Sequence, residues 1–101
     1  MKLTNSQILN MNEALQELVN ERMAGLVKFK LFNIKKTIEE KLEIIVESIQ
    51  KASEDELKEI LEVEQEVPIP NLLSMHELEA LELSIKQISG LDPVINYEEE
   101  Q

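Results

Sequence analysis

The sequence predicts a mainly α-helical fold, a long helical hairpin with short C-terminal helices and a minor β element. Apolar residues recur at three- and four-residue steps in two long stretches. The apolar residues are mostly Leu and Ile, and three Ser-x-x-Glu or Ser-x-x-Gln boxes mark helix starts. A chain of 101 residues has room for one domain with a modest core. We place this domain at residues 1–97, followed by a disordered acidic tail over residues 98–101.

The first helix of the hairpin is predicted over residues 5–24, with Thr4 or Asn5 as its N-cap. Gly25 is its predicted C-terminal stop, because glycine commonly ends helices. Leu3, just before the cap, either packs back onto this helix or joins a short strand. The stripe that defines the helix runs through Ile8, Met11, Leu15, Leu18 and Arg22.

The second helix of the hairpin is predicted over residues 31–51. Before it, residues 26–31 alternate apolar and polar side chains, which is typical of a half-buried strand or an extended connector. The long helix is indicated by helical spacing of Leu31, Ile34, Ile38, Leu42, Ile45 and Ile49. Phe29, Phe32, Ile44 and Val46 lie off this stripe, and one thin layer of helices does not cover them. We therefore expect a homo-oligomer.

A third helix and an edge strand are predicted after the hairpin. Ser53 and Glu56 have capping-box spacing and open the helix. The alternation of Val63, Val67 and Ile69 then indicates an edge strand, which the prolines at positions 68 and 70 bring to an end. Its partner is either residues 27–31 or the start of the chain near Leu3.

Two short helices are predicted near the C-terminus. Ser74 with Glu77 opens the first, and Ser84 with Gln87 opens the second. Gly90 is predicted to close the last helix, and the Asp-Pro pair at positions 92 and 93 prevents its continuation.

Charge is distributed unevenly along the chain. Residues 1–36 carry six Lys or Arg against three acids, whereas residues 37–101 carry four Lys against eighteen acids. The net charge of −11 disfavours general nucleic-acid binding and anionic membranes, since both depend on phosphate neutralisation. Solvation of the second half explains the asymmetry most simply; the alternatives are that it sets the orientation of subunits or steers a partner.

No constellation of residues predicts catalysis, a cofactor or a metal site. His76 is the single histidine and there is no cysteine, so a nucleophilic relay or a zinc site has no set of residues to use. The acidic clusters lack the spacing and central glycine of a calcium loop. The two glycines are isolated, which excludes a phosphate-binding loop. We therefore expect that the protein acts by binding a partner and is not an enzyme.

One candidate binding patch lies where the two hairpin helices meet. Cations interleaved with aromatic rings can hold a phosphorylated ligand, because the cation meets the phosphate and the ring stacks on a base. The alternative is that Phe29 and Phe32 belong to the core and the lysines only contact solvent. The candidate residues are Arg22, Lys28, Phe29, Lys30, Lys35 and Lys36.

Several segments together resemble a group of small proteins of tailed phages and prophages of Gram-positive bacteria. They are residues 1–7, residues 33–36, residues 62–64, and Leu83-Ser84 leading to Ile88 and Leu91. The chain is shorter than the pattern between the long helix and Val63, and has Phe32 where the pattern has Lys. The resemblance implies a phage setting and a long-helix fold with a small strand element, and no catalytic residues.

Two binding functions are compatible with this resemblance. The first is inhibition or sequestration of a component of host antiviral immunity, either a protein or a nucleotide signal. An acidic, cysteine-free protein of this size suits dissociable inhibition of a basic host surface. The second is a virion assembly or scaffolding factor. No membrane span or leader is apparent, so we expect the protein in the host cell cytoplasm.

Overall fold

Five α-helices and two small two-stranded sheets make up the structure, a computed structural model that describes residues 1–23, 25–69 and 71–97. A mainly α fold with a long helix, short C-terminal helices and a minor β element is confirmed. The predicted acidic tail lies outside the described residues. In chain order the elements are β1 (Lys2–Thr4), α1 (Asn5–Leu18), α2 (Gly25–Gln50), α3 (Glu54–Glu62), β2 (Glu64–Glu66), β3 (Leu73–Ser74), α4 (Met75–Glu79), α5 (Ile85–Leu91), a 3₁₀ turn (Asp92–Val94) and β4 (Ile95–Asn96).

Helix α1 begins as predicted but is shorter. Thr4 is its N-cap and forms a capping box with Gln7. The helix ends at Leu18, where the N–H of Glu21 donates to the Leu18 carbonyl in a closing turn. The predicted end near residue 24 was wrong because no apolar residue continues the buried stripe after Leu18. Arg22, predicted on that stripe, is exposed beyond the helix.

Helix α2 is longer than predicted and begins at Gly25. The predicted strand or connector at residues 26–31 was wrong, because that segment is helical. Val27 and Leu31 are buried one turn apart, while Phe29 between them is exposed. A half-buried strand would place all three on one face. Gly25 therefore starts the second helix and does not stop the first.

The first sheet joins the start of the chain to the segment after α3. Strands β1 and β2 are antiparallel, with Leu3 opposite Gln65. The predicted pairing near Leu3 is confirmed, and the alternative partner at residues 27–31 is wrong. Buried Asn5 holds the junction: its Nδ2 donates to the Ile60 carbonyl at 2.7 Å, and its Oδ1 accepts from Gln65 Nε2 at 2.6 Å.

All three predicted serine capping boxes are present. Ser53, Ser74 and Ser84 cap α3, α4 and α5, each with its Glu or Gln partner at the third helical position. A second sheet, in which β3 and β4 pair in parallel, was not predicted. Each of these strands has two residues, too few to show an alternation.

Gly90 lies inside α5 and does not close it, since the helix ends at Leu91. Its role is the close approach of α5 to α1. A Cβ atom at this position would lie 2.7 Å from the Asn10 carbonyl oxygen and 3.0 Å from the Ala14 Cβ. The Asp-Pro pair ends the α-helix as predicted, and a 3₁₀ turn follows it.

The core lies around α1, which packs against both α2 and α5. Ile8, Met11 and Ile38 are fully buried there, and burying such a side chain contributes about 1.5–3 kcal/mol. Over the three described ranges, no helix has both the length and the apolar character needed to cross a bilayer. The other main core residues are Leu3, Leu15, Leu31, Ile34, Ile45, Val67, Leu73, Leu91 and Val94.

Candidate functional site

The predicted patch does not form one surface, because its residues fall on different sides of the start of α2. Lys28 and Lys35 line a groove between α1 and α2. Phe29 and Lys36 lie on the outer face of α2 and are exposed. The remaining two residues, Arg22 and Lys30, face the C-terminal segment.

Lys30 has a structural partner. Its Nζ lies 2.8 Å from Glu77 Oε1 and 3.3 Å from the Leu72 carbonyl oxygen. The Lys30 and Glu77 side chains are 23% and 12% exposed, so this ion pair is largely withdrawn from solvent. Lys30 therefore ties α2 to the start of α4. Glu77 was predicted only as a capping residue, and no sequence signal indicates this pairing.

Arg22 lines a separate polar cleft, together with Glu21, Leu83 and Gln87. This cleft lies between the end of α1 and the segment before α5. Glu21 and Glu82 both line this cleft, so its acidic residues outnumber the single positive charge of Arg22. The cleft therefore offers no concentrated attraction for an anion.

The groove is the strongest candidate site. Its volume is about 230 Å³. Leu15, Leu18 and Leu31 are buried and form its floor, while Val19 and Phe32 are 55% and 53% exposed. Met23 and Glu21 also line it. The groove is thus an apolar depression open to solvent.

Two lysines, spaced two helical turns apart on α2, border this groove. Lys35 pairs with Glu39 one turn further along the helix. Lys28 is exposed. The lysines therefore place positive charge beside an apolar surface in a chain whose net charge is −11.

The two phenylalanines of the patch are surface residues. Phe29 is 67% exposed, and the Lys36 Nζ lies 5.7 Å from the centroid of the Phe32 ring. The alternative that these rings belong to the core is wrong. Exposed aromatic side chains beside lysines are typical of interaction surfaces.

His76 lies on the short α4, with its side chain 88% exposed and its Nδ1 4.0 Å from Glu79 Oε2. No group of three or more His, Cys, Asp or Glu side chains suited to a metal ion lies within residues 1–23, 25–69 and 71–97.

The Lys30–Glu77 pair predicts a pH-dependent stability. Burial raises the pKa of Glu77, but hydrogen bonds from Lys30 and from the Ser74 backbone outweigh it, so the pKa lies below its ordinary value. The ionised pair therefore stabilises the fold above the ordinary carboxyl pKa, and this contribution is lost as pH falls through the lowered pKa. We expect Glu77→Gln to be less stable than wild type at neutral pH, with the difference shrinking in acid.

Urea unfolding of both proteins from about pH 3 to pH 7 measures this difference. Glutamine keeps the cap, as Gln87 does in α5, so the variant removes mainly the charge. A difference in unfolding free energy that is constant across this range would contradict the ionic role of Glu77.

Comparison of the chain with protein-family models, with curated proteins and with solved structures finds no match.

Proposed function

We propose that this chain is a non-enzymatic binding protein whose working surface is the groove between α1 and α2. The observation that carries the proposal is an open apolar groove bordered by Lys28 and Lys35 in a strongly acidic chain. An apolar depression can receive an anchoring side chain, and the lysines can pair with a carboxylate beside that anchor.

The size of the groove favours a protein partner over a nucleotide signal. Small-molecule sites usually enclose about 300–1,000 Å³. The groove has about 230 Å³. A cavity of about 150 Å³ holds a benzene molecule, so the groove has room for one or two apolar side chains. We therefore infer that its occupant is an apolar side chain next to an acidic residue on another protein.

The phage resemblance supplies the biological setting of the proposal. In this setting the protein acts in the host cell cytoplasm, where it occupies and blocks a protein component of antiviral immunity. An inhibitor needs only a stable complex, which a groove with an apolar floor and charged edges can provide. Virion assembly is the alternative, in which the same groove binds a capsid or tail protein.

A charge-reversal experiment tests the groove. Lys28→Glu/Lys35→Glu is expected to weaken partner binding by at least about 100-fold, since each charge-assisted bond contributes about 1.5–3 kcal/mol. Proteins captured from infected cells by wild type and by this variant are compared. Lys28 is exposed, and Lys35 is half-buried at the rim of the groove with its ammonium group paired to Glu39 outside the core, so the helical signal by circular dichroism should remain.

A matched control keeps the same change in net charge. Lys51→Glu/Lys58→Glu disrupts the Lys51–Glu47 pair, as the groove variant disrupts the Lys35–Glu39 pair, but lies away from the groove. This control variant should capture the partner protein as wild type does. Undiminished capture by the folded groove variant would contradict the proposal and move the search to the acidic surface of residues 54–66. The identity of the captured protein distinguishes the two functions: a host defence protein supports immune inhibition, and a capsid or tail protein supports virion assembly.

A further inference from the structure

The outer face of α2 is unpartnered along its length in the described chain. Its opposite face packs against α1 and α3 through Ile34, Ile38 and Ile45. The helix has 26 residues and is about 39 Å long. Exposed side chains on the outer face come from both halves of the helix and include Phe29, Phe32, Lys36, Glu40, Ile44 and Glu47.

The charges of α2 are separated into two blocks. Residues 25–38 carry four Lys and no acid, while residues 39–50 carry four Glu and one Lys. Its first turn has no acidic residue and its last turn no basic one. This order opposes the helix macrodipole, which favours acids at the start and bases at the end. An isolated α2 therefore carries an electrostatic cost that a suitable neighbour would offset.

We propose that the outer face of α2 binds the same face of a second copy of this chain, with the two helices antiparallel and a two-fold axis at the level of Ile38. Lys36 of each copy then lies at the level of Glu40 of the other. Phe32 is level with Ile44 of the second copy. The interface is isologous, as in most dimers.

Charge complementarity selects this occupant and this direction. On the outer face itself, Lys36 is the cation of the first half and Glu40, Glu43 and Glu47 are the acids of the second half, because Lys28 and Lys35 border the groove and Lys30 pairs with Glu77. Antiparallel pairing places Lys36 and the positive dipole end of each helix beside the acidic half of the other. Parallel pairing would place lysines beside lysines and glutamates beside glutamates. Exposed apolar side chains occur in both halves, so each end of the proposed interface contains apolar surface to bury: Phe29 and Phe32 in one, Ile44 in the other.

Mass measurement with charge-swap variants tests the dimer. Wild type at micromolar concentration should sediment at twice the chain mass of 11.6 kDa. Lys36→Glu should raise the dimer dissociation constant on the order of 100-fold, because two symmetry-related charge pairs become repulsive. The double variant Lys36→Glu/Glu40→Lys should restore the dimer. This rescue cannot come from the Lys36–Phe32 contact, which the double variant also lacks.

Lys58→Glu, which changes the charge equally on α3, is the control and should remain dimeric. A monomeric wild type, a single variant that stays dimeric, or a double variant that stays monomeric would each overturn the proposal. Phe32 borders both the groove and the proposed dimer interface, but Lys36 does not line the groove. The Lys36 variants therefore test the dimer without changing a groove residue, and a failed dimer proposal leaves the groove experiment valid.

The direction of the helices is tested with a spin label. The chain has no cysteine, so Gln50→Cys introduces a single attachment site. Electron-spin distance measurement on the antiparallel dimer should find two labels separated by roughly 37 Å along the helix axis. A separation near 10 Å, expected for parallel helices in contact, would overturn the arrangement.

Discussion

Replacing Ile38 with aspartate is expected to unfold the protein. Ile38 lies in the middle of α2 and has 0% of its surface exposed. An unpaired buried charge costs several kcal/mol, whereas a domain of this size is stable by only about 5–15 kcal/mol in total. Circular dichroism and urea unfolding measure the loss.

Ile44→Asp is the matched control on the same helix. Ile44 is 61% exposed in the single chain, so aspartate at this position does not enter the core: it should weaken the proposed dimer but leave the helical signal. If Ile38→Asp keeps the wild-type helical signal and melting temperature, Ile38 is not a core residue and the described packing of α2 is contradicted.

Replacing Gly90 with alanine is expected to destabilise the protein by about 1–3 kcal/mol, the usual cost of overpacking. The added methyl group would lie 2.7 Å from the Asn10 carbonyl oxygen, so α5 must move away from α1. Helix propensity alone would favour alanine by about 1 kcal/mol. A loss of unfolding free energy in Gly90→Ala therefore indicates close packing of α5 against α1, whereas a gain indicates that helix propensity dominates.

Gly25→Ala is the control for this substitution. Nothing lies within 4 Å of a Cβ atom at Gly25, which also belongs to a helix. This variant should be as stable as wild type or slightly more stable in thermal unfolding. A stabilised Gly90→Ala protein would show that α1 and α5 do not approach as closely as described.

Local signals in the sequence predicted helix starts well. A capping box needs only a serine and a Glu or Gln three residues later, so Ser53, Ser74 and Ser84 could be identified without tertiary information. The pairing near Leu3 followed from the alternation after Val63 and the few segments that could join it. These features depend on short-range hydrogen bonding and simple periodicity.

The segment at residues 26–31 shows where periodicity failed. Val27, Phe29 and Leu31 alternate like a strand, yet Val27 and Leu31 also fit a helical step of four. Burial decides between the two periods, and it depends on the packing of α2 in the folded chain, which buries Val27 and Leu31 but leaves Phe29 exposed. Tertiary packing thus overrode a short local pattern.

The candidate site was predicted only in outline. Sequence position grouped six residues, but helical geometry separates Lys28 and Lys35 from Lys36, and Glu77 engages Lys30 from 47 residues away. Such a distant ion pair has no local signature. The apolar floor of the groove also went unrecognised, because Leu15, Leu18 and Leu31 fit an ordinary core stripe.

Site-specific photocrosslinking in infected cells tests the groove most directly. A benzophenone amino acid replaces Val19 in the groove or, as a matched control, Val63 beside the acidic surface; these valines are 55% and 51% exposed. The proposed function predicts that irradiation attaches a partner protein at position 19 and that position 63 gives no such product. Attachment only at position 63 would contradict it and assign binding to the acidic surface.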